Sequence, residues 1–155
     1  MEATIVALLI LGMAAVTVFA LRGLPHRRRA LSGIAAYALG FCLSMTACWI
    51  ALYLILGVGR HRLDGRDFLS GQTLILLLTL GMAYVSAMNA RLAGSNDGSS
   101  TRVAMRLLIW PLNDRAQGER FLRSTPAAMW LAGAILGLVI SGAASLIVVL
   151  VAFST

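Results

Sequence analysis

The sequence predicts an all-α integral membrane protein with four transmembrane helices, and three observations carry that prediction. Of its 155 residues, 59% are hydrophobic and only 12% charged, with a mean hydropathy of +0.86. A soluble domain of this size needs far more polar surface. The apolar residues also fall into four runs, 3–21, 30–59, 68–90 and 127–153, none of which contains Asp, Glu, Lys, Arg or His. A helix needs about 20 such residues to cross the hydrocarbon core. Finally, the long hydrophilic stretch 91–125 holds six arginines, Arg91, Arg102, Arg106, Arg115, Arg120 and Arg123. Positive loops of this length stay in the cytoplasm, which places both chain ends outside.

The first run is followed, not preceded, by positive charge: Glu2 stands before it, and Arg22, Arg27, Arg28 and Arg29 come after. That order predicts a retained helix leaving its C-terminal end inside, not a cleaved signal. Gly23, Leu24 and Pro25 break it. The second run would be roughly 45 Å long as a helix and must tilt or protrude. Its outer end is expected to fray at Gly57 and Gly59, with Tyr53 and Trp49 toward the headgroups. A short outer loop carries Arg60, His61, Arg62, Asp64, Arg66 and Asp67, fewer arginines than the stretches assigned to the inside. Asp64 or Asp67 is placed to cap the third helix. That helix carries Gln72 and Asn89 near opposite ends, where headgroup water or a neighbouring helix satisfies them.

The hydrophilic stretch divides into three. Residues 93–101 are small and polar and read as a linker. Arg102 and Arg106 then share one side of a helix while Val103, Leu107 and Trp110 share another, the pattern of a short amphipathic helix lying in the membrane interface. After Pro111, residues 114–123 predict a second short polar helix with Phe121 and Leu122 as its apolar contacts. Thr125 and Pro126 supply an N-cap hydroxyl and a first-turn proline for the fourth span.

Two spans carry small residues at steps of four: Ser32, Ala36, Gly40, Ser44 and Cys48 in the second, and Gly133, Gly137, Ser141 and Ser145 in the fourth. Small residues let helix backbones approach where lipid provides no hydrophobic drive. Steps of four drift about 40° each around a 3.6-residue helix, so the expected contact is an angled crossing, either a parallel one between the second and fourth helices or one with another subunit.

Chemistry is sparse. The uncharged spans disfavour proton- or ion-coupled transport, which uses an ionisable group within the membrane. His26 and His61 are expected on opposite faces, so no paired haem or metal ligands arise. Cys42 and Cys48 stand about 9 Å apart along one helix and read as buried thiols rather than a disulfide. Asp97, Asn113, Asp114 and Glu119 have no nucleophile or histidine beside them, and Asp114 with Arg115 and Glu119 with Arg120 read as solvated charges. No catalytic, cofactor or metal site is expected.

All thirteen basic residues are arginine. They lie at the ends of apolar runs, not along a polar face, which favours anionic headgroups over nucleic acid. The lipid- or partner-facing set is Arg102, Arg106, Trp110, Arg115, Arg120 and Arg123. The expected function is a non-catalytic auxiliary or scaffolding subunit of a larger bacterial inner-membrane complex, docking through small-residue helix faces and the arginine-rich loop. The alternative is a small homo-oligomeric channel, carrier or lipid-handling protein.

Overall fold

A computed structural model describes residues 2–24, 26–58, 65–94, 103, 107 and 109–154. Among them are five helices and no strand: α1 (Glu2–Ala20), α2 (Arg27–Val58), α3 (Gly65–Gly94), α4 (Arg115–Arg123) and α5 (Pro126–Ser154). Three are long and apolar enough to cross a membrane, over Arg27–Ile55, Phe68–Gly94 and Pro126–Val151, as befits a membrane protein. The first helix adds a shorter apolar stretch, Ala7–Ala20.

The helix ends depart from the apolar runs in instructive ways. α2 takes Arg27, Arg28 and Arg29 into its first turn, because long arginine stems extend an apolar helix while their heads stay in water. At its other end it runs through Gly57 to Val58; Gly59, the other residue of the expected fray, lies outside the described residues. α3 begins at Gly65, which places Asp67 within its first turn and not at the N-cap position. Asp64, like the remainder of the expected outer loop before Gly65, lies outside the described residues. Between α1 and α2 the chain turns through Gly23 and His26, both at positive φ (81° and 68°). Glycine adopts that conformation freely, and histidine is among the few other residues enriched there.

The long helices form an open row. α1 packs on α3, α3 on α2, and α2 on α5, while α4 lies across α3 and reaches α2. The two edge helices, α1 and α5, therefore each have one principal neighbour. The main core gathers where α1 and α3 end and α2 and α5 begin: Leu21, Ala30, Ala87 and Ala90 are fully buried, with Ile34, Tyr37, Phe121 and Met129 beside them. This arginine end contains Arg22, Arg27, Arg28, Arg29, Arg91, Arg115, Arg120 and Arg123 against Asp114 and Glu119. Away from it, a second small cluster of Phe41, Met45 and Ile75 holds α2 to α3. Farther out, Leu54, Ile55, Leu146, Ile147, Leu150 and Val151 are exposed.

Two arginines tie helix ends together across the chain. The Arg91 guanidinium donates to the Ala20 carbonyl at 3.2 Å, and that of Arg29 donates to the Arg123 carbonyl at 3.2 Å. Each meets a carbonyl in the last turn of a helix, where no intrahelical partner exists and the helix dipole favours a cation.

Candidate functional site

The small-residue faces of α2 and α5 meet at one crossing. A Cβ at Gly40 would strike the Trp130 carbonyl oxygen, one at Gly133 the Tyr37 carbonyl, and one at Gly137 the Ser44 hydroxyl. Glycine is required at all three because backbone closes on backbone there, the Phe41 carbonyl lying 2.8 Å from a Cβ at Gly137. The pairs advance together along both helices, from Tyr37 with Gly133 to Ser44 with Gly137, so the helices run parallel. Ser44 and Ser141 are buried, and each hydroxyl donates within its own helix, to Phe41 at 2.9 Å and Gly137 at 2.6 Å. Ala36, Cys48 and Ser145 are half-buried, and Ser32 is exposed. Cys42 is half-buried as well, so the two thiols are free but not the enclosed pair anticipated.

Asn89 organises the joint between α3 and α4. Its side chain is completely buried. The amide nitrogen donates to the Leu112 carbonyl at 3.2 Å and to Gln117 Oε1 at 3.3 Å, and its oxygen accepts from the Asp114 backbone N–H at 3.0 Å. Asp114 in turn caps α4, accepting from the N–H groups of Ala116 at 2.9 Å and Gln117 at 3.2 Å. Gly118, in the next turn, lets the helix descend onto α3: a Cβ there would overlap the Asn89 carbonyl. Phe121 completes the contact, 1% exposed and edge-on to Tyr37 with ring centres 5.4 Å apart. A polar helix is thus pinned to an apolar one by a single buried amide that satisfies three backbone or side-chain groups.

Beside this joint lies an open groove of about 500 Å³ between α2, α4 and α5. Its polar end is formed by Arg120, Gln117 and Tyr37. Its wall is apolar: Met129, Ala132, Ile135, Leu136 and Val139 along α5. Glu119, read from sequence as a solvated charge beside Arg120, lies 3.5 Å from Arg115 one turn back. Among the described residues, no carboxylate pairs with Arg120. A second open hollow at the same end, about 590 Å³, is lined by His26, Arg27, Arg28 and Leu31.

Of the residues expected to face lipid or a partner, Trp110 is 74% exposed and Arg115, Arg120 and Arg123 are exposed on α4. Arg102 and Arg106, and with them most of the expected interfacial helix, lie outside the described residues. Val103 and Leu107 are helical and exposed. Ile109, by contrast, is buried in the main core. Neither Tyr37 nor Gln117 stood out in the sequence. Gly118 had a legible signal, since a glycine inside a nine-residue helix costs about 1 kcal/mol and is tolerated where backbones touch.

No known protein family, curated protein or solved structure matches the chain. Among the described residues no three of His, Cys, Asp and Glu come together, while Asn89, Asp114, Arg29 and Arg91 hold helix ends to one another and Arg120 faces the groove. What that arrangement offers chemically is recognition of anions and of apolar surface.

Proposed function

We propose that the protein is a non-catalytic accessory subunit of a larger membrane complex in the bacterial inner membrane. In this reading α1 is a fourth span, both chain ends are outside, and the arginine end faces the cytoplasm. The observation that carries it is the open row with glycines on its edge helices. Gly12 on α1 and Gly142 on α5 face open space, with no atom within 4 Å of a Cβ built at either. Lipid chains gain nothing from a glycine, which only weakens a helix. A neighbouring helix does gain, because its backbone approaches closely there. The arginine concentration beside these edges supports the inward orientation.

Isolation from native membranes in mild detergent tests the proposal. The chain is expected to run in an assembly well above its own 16.5 kDa, with other chains in fixed ratio. Gly12→Leu and Gly142→Leu together should release it while its helix content stays unchanged. Recovery of the wild-type chain as a free monomer would overturn the proposal. So would ion or solute flux through the purified chain in liposomes that is lost on Gln72→Leu, which would point to a carrier formed by copies of this chain.

A further inference from the structure

We propose that the groove between α2, α4 and α5 is a binding site for one anionic phospholipid, its phosphate at Arg120 and an acyl chain along α5. Charge, length and direction within a single chain point to it, independently of any partner subunit.

Charge comes first. Arg120 stands at the polar end of the groove with no carboxylate partner among the described residues, beside the Gln117 amide and the Tyr37 hydroxyl. A guanidinium binds phosphate through parallel N–H donors, and a neighbouring amide or phenol adds to a headgroup's contacts. Gln117 is held in place from behind, because its oxygen already accepts from Asn89.

Length comes next. Met129, Ala132, Ile135 and Val139 step along one face of α5 at helical spacing, and ten residues rise about 15 Å. That is half of the roughly 30 Å hydrocarbon thickness, so the wall spans one leaflet. Ile135 and Val139 are 53% and 63% exposed, leaving the wall open to an incoming chain. The direction is also right: the cation sits at the arginine end, and the apolar wall leads from there toward the middle of the span. The volume of about 500 Å³ lies within the range of small-molecule sites.

The test is native mass spectrometry of the full chain, loaded from mixed vesicles of phosphatidylglycerol and phosphatidylcholine and then stripped with detergent. One phosphatidylglycerol per chain should be retained in preference to phosphatidylcholine. Arg120→Ala should lower that retention about tenfold, the usual effect of losing a charge-assisted hydrogen bond. Arg115→Ala, which removes an equal charge engaged with Glu119 away from the groove, should leave it unchanged. Ala132→Trp should block the wall and release the lipid with Arg120 intact. Circular dichroism must show all three variants folded, and one that is not is replaced by Arg120→Gln or Ile135→Trp. Equal retention in the Arg120 and Arg115 variants would overturn the site, as would indifference to headgroup. Crosslinking of Val139→Cys between copies of the chain would overturn it too, since a second copy would then occupy the groove.

Discussion

The two halves of the molecule, lengthwise, are built on different principles. At the arginine end, five helices converge, Leu21, Ala30, Ala87, Asn89 and Ala90 are fully buried, and the buried Asn89 amide together with the more exposed Arg29 and Arg91 guanidinium groups connects segments distant in the chain. In the opposite half, Leu54, Ile55, Leu146, Ile147 and Leu150 are exposed, while α2 and α3 are joined by side chains: Trp49 Nε1 donates to the Phe68 carbonyl at 3.3 Å and Gln72 Nε2 to Thr46 Oγ1 at 3.0 Å. The difference teaches where membrane-protein specificity resides. Lipid is as apolar as leucine, so leucine-rich faces have no preference for each other. Close backbone contact and polar satisfaction supply the specificity; the glycine contacts with backbone lie toward the arginine end, whereas side-chain hydrogen bonds join helices in both halves.

The sharpest way to break the contrast is to insert volume where backbones meet. Gly133→Leu should cost about 3 kcal/mol or more, because its side chain meets the Tyr37 backbone rather than a movable side chain. Thermal unfolding of the purified chain in detergent measures it. An intermediate effect is expected at the polar joint. Asn89→Ala leaves the buried groups it satisfies without partners and should destabilise by about 2 kcal/mol. Proteolysis should then cut first at the joint around α4, while α2 and α5 stay together. The smallest effect is expected at an outward glycine. Gly142→Ala meets nothing and should stabilise the isolated chain by about 0.5 kcal/mol through helix propensity. A loss there comparable to that of Gly133→Leu would erase the distinction between the two kinds of glycine.

Much of the architecture was legible in the residues. Apolar run length and charge marked the long helices, the Thr125–Pro126 start of α5 follows from capping chemistry, and Thr125 Oγ1 accepts from the Ala128 N–H at 3.4 Å. The short helix ending at Arg123 appeared where its polarity indicated, with Phe121 as its buried contact. These features are local, determined by a residue and its neighbours within a turn or two. The steps of four indicated which faces of α2 and α5 are small, and the structure supplied their register.

Tertiary structure alone decided the order of the row, the seat of α4 and the groove at Arg120. Hydropathy cannot rank one apolar helix as a neighbour above another, because all are equally at home in lipid. Asn89 read simply as a polar residue near a helix end. Its partners Leu112, Asp114 and Gln117 lie 23 to 28 residues away, and only the descent of α4 onto Gly118 brings them within reach. Arg120 looked like any arginine of the hydrophilic stretch. It differs because Glu119 turns to Arg115, leaving Arg120 beside Tyr37 and the apolar wall of α5. The sequence by itself determined helices and their polarity, which are short-range properties of the chain. The meeting of those helices at glycine and at one buried amide is long-range, and it took the folded structure to decide it.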